Sequence, residues 1–354
     1  MMESYNALNG KLGFLKKGLF SKDEYGNILS LSDKEQLVDY LSTNPLYDNE
    51  MNDYKEHSQD FLGLQYNYYA ERYGFEFLIH KSEVRIMQKL KPFIGVFHKD
   101  FIESLIFKYE IYDLKLILRS IVEKDPLDLE KEMLTYKTSR YLDHDRLANC
   151  DNIRQFTEAL IGTPFRHAIY SVRDEDVLQK HFHIEMSLDN LYFSEIERAS
   201  KKLRPKDKKL VNEYFHTLID LVNIQWILRA KRFYHLSNEE IFNYSIRHGK
   251  IFKGEKLKTL VYTQNVQEAV SYIRENGYYK SFQEKNNKDT VYQRMLENFY
   301  DKQTVLIDYQ NDIGTFLKFY IRFDNQNRNL IKLAEMQKYS LKDKEEIKSF
   351  LVGV

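Results

Sequence analysis

The chain holds little that breaks or cross-links a backbone. Only 5 prolines and 13 glycines are spread over 354 residues, too few to punctuate many short strands, so long helices are expected. The single cysteine, Cys150, excludes an internal disulfide and any cysteine-based zinc or iron–sulfur centre within one chain. No apolar run approaches the roughly 18 residues that a membrane-spanning helix needs. Met1 to Lys17 lacks the apolar stretch and cleavage site of a signal peptide. Neither sign of charge dominates, with 53 basic and 53 acidic residues, so no global field draws nucleic acid. The expectation is a cytoplasmic protein that meets a membrane only through another protein.

Signatures of chemistry are missing as well. There is no Gly-rich phosphate loop and no dinucleotide-binding GxGxxG. His181 and His183 are two residues apart, and on a helix they face away from each other. Glu185 would complete a metal set only in an extended segment, and no strand pattern surrounds it. His144 and Asp145 sit in a charged stretch that reads as a solvated turn. Cys150 precedes Asp151 at an expected helix start, which would lower the thiol pKa, but no companion base is near in sequence. No catalytic residue, cofactor, metal or small-molecule substrate is expected.

What remains is ordinary globular material, 43% hydrophobic and 30% charged, with 27 Tyr and 23 Phe suited to wedging helices together. Three segments share one pattern: Tyr109 to Arg119, Ile219 to Arg229 and, more weakly, Asn325 to Glu335. Their anchors Asp113, Asn223 and Asn329 lie 110 and 106 positions apart. A second set of marks keeps the period. Leu41-Ser42-Thr43-Asn44-Pro45-Leu46 echoes Leu160-Ile161-Gly162-Thr163-Pro164-Phe165 and, loosely, Arg274-Glu275-Asn276-Gly277-Tyr278. Each follows a short amphipathic stretch, and Pro or Gly stops a helix there. Glu239-Glu240-Ile241 and Glu345-Glu346-Ile347 follow their anchors by 16 to 18 residues, and Ser237 with Glu240 has capping-box spacing. The layout is therefore all-α, three pseudo-equivalent helical units over 1–135, 136–252 and 253–354 in one body.

On a helical wheel Ile102, Ile106, Tyr109 and Ile117 fall within about 40° of Asp113. Ile219 and Ile227 surround Asn223 in the same way. Glu110, Asp220 and Gln326 stand one turn earlier on the edge of the stripe. A buried polar group without a partner costs several kcal/mol in order of magnitude, so each anchor needs a donor from a backbone N–H or a cation. Glu110 with Asp113 resembles an acid–base pair, but the other copies substitute amides that move no proton. The anchors are read as structural. Across the first helix lie Lys108, Lys115 and Arg119, and in the second copy Arg229, Lys231 and Arg232, a candidate basic surface for an acidic partner.

The stretch Asp220 to Arg232, followed by Leu236 to Ile241, closely resembles the C subunit of prokaryotic V/A-type ATPases, the counterpart of the eukaryotic d subunit in the AC39 family. The resemblance also covers Tyr5-Asn6-Ala7, Gly18-Leu19-Phe20, Asn44 to Tyr47, Gly162 to Phe165 and Asp189 to Phe193, and so runs over essentially the whole chain. It departs at Leu8-Asn9-Gly10-Lys11, where the family carries arginines, and at Asn329 to Glu335, where an arginine-containing ending is usual. The resemblance implies a funnel of three helical units with approximate internal threefold symmetry. It implies a non-catalytic rotor subunit, whose wide mouth receives the central axle subunits and whose base sits on the membrane proteolipid ring. A free-standing helical scaffold of another assembly is the alternative expectation.

Overall fold

Asp33, Asn152 and Asn265 begin three short helices in the same way. Each holds an extended backbone with φ near −150°, and its side chain accepts from the backbone N–H three residues on, of Gln36 (2.9 Å), Gln155 (3.0 Å) and Glu268 (2.9 Å). The side chains of those three residues reach back and accept from Ser32, Asp151 and Gln264 N–H. Such N-caps each contribute about 0.5–2 kcal/mol. The computed structural model describes residues 6–56, 68–170, 181–233, 236–278, 313–338, 347–348 and 351–353. Every regular element among them is helical, as the scarcity of breakers predicts. No helix among them is long and apolar enough to cross a membrane.

By its contacts the chain divides into two compact units, Met1–Val96 with Tyr300–Val354, and Phe97–Phe299. The first holds α1 (Asn6–Leu15), α2 (Lys22–Ile28), α3 (Lys34–Leu41), α4 (Asp48–Glu56), α5 (Tyr68–Leu90) and the long C-terminal helix α16 (Gly314–Lys338). Helix α16 packs against α5 and α1. Phe319 and Phe323 stack on one of its faces, and Tyr47 tilts against Phe323 at 5.9 Å between ring centroids. All three rings are fully buried, each contributing about 1.5–3 kcal/mol through burial.

The second unit opens with α6 (Val96–Glu123) and continues through α7 (Leu129–Glu132), α8 (His144–Ala148), α9 (Ile153–Ala159) and α10 (Phe165–Ile169). It closes with α11 (His181–Ser200), α12 (Pro205–Phe233), α13 (Asn238–Tyr244), α14 (Glu255–Val261) and α15 (Val266–Ile273). A core runs from Phe107, Leu114 and Ile117 of α6 to Phe156, Phe165 and Leu188, with Phe107 stacked on Phe165 at 4.9 Å. The capping box at Ser237 and Glu240 is present and starts α13. After α15 the chain leaves through a turn at Arg274–Tyr278, where Gly277 adopts φ +114°, a backbone that favours glycine. Glu345 and Glu346, the third marks of the repeat, lie outside the described residues.

Candidate functional site

The long helices α6, α12 and α16 carry the repeated anchors in the middle of apolar stripes, so each polar side chain is carried inward with its neighbours. Asp113, Asn223 and Asn329 are fully inaccessible, and Glu110, Asp220 and Gln326 nearly so. Each anchor holds a chain segment that follows it by 21 to 23 residues. Asp113, acceptor-only as a carboxylate, takes the N–H groups of Leu134 and Thr135 at 2.8 Å each and the Thr135 hydroxyl at 2.6 Å. Asn223 accepts from Ile246 N–H at 2.9 Å and donates to Ile246 C=O at 2.8 Å. Asn329 makes the same pair of bonds with Val352.

One turn earlier, the second anchors hold the segment beyond. Glu110 accepts from Arg140 N–H at 2.9 Å, and burial raises its carboxyl above the usual range. Asp220 accepts from Ile251 and Phe252 N–H at 2.7 and 3.0 Å. Gln326 accepts from Phe20 N–H at 2.7 Å and donates to Gly18 C=O at 3.0 Å. The order is cyclic, because the third helix holds the opening segment of the chain. Glycine is required at this junction. A Cβ on Gly249 would strike the Asp220 carboxylate and the Phe252 carbonyl, and one on Gly18 would come within 2.5 Å of Asn44 Oδ1.

His144 corrects the expectation of a solvated turn. It is 3% exposed, with Nε2 3.1 Å from Asp113 Oδ2 and 3.4 Å from Thr135 Oγ1, so it belongs to the first anchor. Asp145 beside it is exposed and accepts from the Tyr136 hydroxyl. Cys150 is a second correction. Asn152 and not Cys150 caps α9, and burial pushes the thiol up where a helix start would lower it. The imidazoles of His181 and His183 lie outside the described residues.

The basic residues divide. Lys115 stands 3.7 Å from Glu185 on α11, and Arg119 pairs with Glu123 one turn along α6. Arg229 and Arg232 are exposed over the rings of Trp226 and Phe233. Lys231 turns inward, donating to the Val261 and Thr263 carbonyls at 2.7 and 2.6 Å, where it satisfies the end of α14. Between α6, α11 and α12 lies a group that sequence reading passes over. The Asp189 carboxyl is pushed up to about 6, chiefly by burial, with Lys115 and the Trp226 side chain opposing the shift and Glu185 adding to it.

Taken together, the buried anchors tie each long helix to the backbone of a segment distant in sequence. Among the described residues no three His, Cys, Asp or Glu side chains converge to hold a metal. A family model described as ATP synthase (C/AC39) subunit matches residues 8–350. The chain is similar to the C subunit of the A-type ATP synthase of Methanosphaera stadtmanae, 25% identical over 177 residues, half of this chain and 46% of that one. It is similar to that of Methanosarcina acetivorans, 23% identical over 65% of this chain and 63% of that one. It thus spans less than two thirds of either relative's length. With the same protein of Methanobrevibacter smithii the alignment is 22% identical over 91% of this chain and 82% of the relative.

Proposed function

The chain belongs to the ATP synthase C/AC39 subunit family, and from that premise we propose that it is the socket of a rotary ATPase, a non-catalytic part of the central stalk. It joins the axle subunits to the membrane proteolipid ring and passes torque between ATP chemistry and ion movement. It works at the membrane surface through the complex, with no cofactor, nucleic acid or small-molecule substrate of its own. Three helical units, 1–135, 136–252 and 253–354, form a funnel around a central opening.

One observation carries this reading: the cyclic order of the anchors. The pair on α6 holds 134 to 140, the pair on α12 holds 246 to 252, and the pair on α16 holds 352 and then 18 to 20. A part that transmits torque must be stiff, and buried polar contacts with few alternatives resist sliding of a helix past the segment it holds. Arg229 and Arg232 supply exposed cations for a partner's carboxylates. The test is co-expression with the nucleotide-binding, axle and proteolipid subunits of a rotary ATPase from the same organism. Elution of the chain with both axle and ring is expected. A stable, monodisperse chain that associates with neither would overturn the reading.

A further inference from the structure

Helix α1 turns Leu8, Leu12 and Leu15 inward and leaves Gly10, Gly13, Phe14 and, just beyond its end, Lys17 in solvent. Phe14 is 55% exposed, with Lys11 Nζ 6.0 Å from its ring centroid. The single turn Lys91–Phe93 packs beside α1, and its Phe93 is 41% exposed. Two large aromatic rings are thus exposed on two elements in contact with each other, where one on its own would need no explanation.

The charge that α1 itself carries has one sign. No acidic residue occurs from Asn6 to Phe20. Lys89 is held below the usual lysine range by burial first and by Arg85 next, with Lys11 adding to the effect. The carboxylates that pull the other way, Asp48 and Glu50, already pair with Arg85. Lys11 thus lies beside the Phe14 ring, Lys17 follows on the same segment and Lys89 is within electrostatic reach of Lys11, with no carboxylate on α1 to offset them.

Beside Phe14 on the same helix runs a bare track. A glycine inside a helix is less stable than alanine, yet a Cβ on Gly10 or Gly13 would meet nothing within 4 Å. Among the described residues no packing explains either glycine, in contrast to Gly18 and Gly249. Removing side chains from a helix face shortens the distance at which a second helix can lie on it.

We propose that this face of α1, with the turn at Lys91–Phe93, seats an acidic amphipathic helix of the axle subunits. The partner's ridge lies over Gly10 and Gly13, its apolar side chains meet Phe14 and Phe93, and its carboxylates meet Lys11, Lys17 and Lys89. A lipid surface would be entered by bulky side chains, and a track stripped of them fits a helix better. The inference rests on the socket reading and adds to it the place and the chemistry of the contact.

The test is calorimetric titration of the full chain with the purified axle subunits. Phe14→Ser with Phe93→Ser should weaken binding by about tenfold or more, as loss of aromatic anchors does. Lys11→Glu with Lys17→Glu should weaken it more at about 50 mM salt than at about 300 mM. Gly13→Leu supplies the decisive readout: it should raise the melting temperature of the free chain while weakening the complex about tenfold or more. Wild-type binding with all three variants within about twofold of it would overturn this inference alone. Absence of wild-type binding would remove the socket reading and the inference with it. Phe14- and Phe93-dependent retention on phosphatidylserine vesicles, with axle binding unaffected by those variants, would overturn the choice of occupant.

Discussion

Asn329 and Val352 hold each other through both faces of one side-chain amide. The Val352 N–H donates to Asn329 Oδ1 at 3.0 Å, and Asn329 Nδ2 donates to the Val352 carbonyl at 2.9 Å. Asn223 repeats the arrangement with Ile246. An amide can both give and accept, so it mimics a backbone partner. Asp113 cannot give, and it takes two N–H groups and a hydroxyl instead.

Asn223→Leu removes both bonds and leaves the Ile246 N–H and C=O buried without a match. The expected loss is about 1–3 kcal/mol of stability, read by urea denaturation. An unchanged midpoint would mean that water reaches this site.

Gly249→Ala and Gly10→Ala should move in opposite directions. At Gly249 the added methyl meets the Asp220 carboxylate and a backbone carbonyl, and overpacking of this kind costs about 1–3 kcal/mol. At Gly10 nothing stands in the way, and alanine should stabilise by about 0.5–1 kcal/mol. Thermal unfolding of the two variants checks both signs.

Asp189 links stability to pH. Its carboxyl is raised from 3.8 to about 6, so between those values the folded chain binds more protons than the unfolded one, and its contribution to stability falls as pH rises. At pH 7 the charged form costs on the order of 1–3 kcal/mol, reduced because solvent reaches part of the group. Asp189→Asn should therefore be more stable than wild type at pH 7, with the difference vanishing toward pH 4. Trp226 is the only tryptophan in the chain and lies beside this carboxyl, so its fluorescence should titrate near pH 6 and cease to do so in the variant. A flat emission profile in wild type would refute the assignment.

Lys231 and Arg229 lie two residues apart and should separate stability from binding. Lys231→Ala strips two carbonyls of their donor and should cost about 1–3 kcal/mol. Arg229→Glu leaves the fold unchanged and should weaken axle binding chiefly at low salt. Equal salt dependence for Arg229→Glu and wild type would remove the electrostatic account.

The anchors are legible in the sequence because a short polar residue among Ile219, Ile227 and their neighbours stands out on a wheel. Their partners are not legible. Ile246 and Val352 keep the anchor period, each 23 residues on, but nothing in an apolar side chain marks that its backbone is held by a distant amide. His144 is hidden for a related reason. Asp143, Asp145 and Arg146 around it are all exposed, yet His144 and Leu147 form the one inward face of a five-residue helix. Lys231 looks like one more cation in a basic run, and only the approach of α14 turns it inward. The three matching caps at Asp33, Asn152 and Asn265 escape notice because an Asx followed three residues later by Gln or Glu is common, and only identical backbone geometry reveals the set.

The bonds from Gln326 to Gly18 and Phe20 span 308 and 306 positions, and this bears on the order of synthesis. Residues 97–299 emerge from a ribosome before α16 does, so the middle of the chain can complete its core first. Residues 18–20 emerge before them, yet must wait for α16 before their buried backbone finds its partner. Newly made chains therefore carry an unfinished first unit until α16 is released.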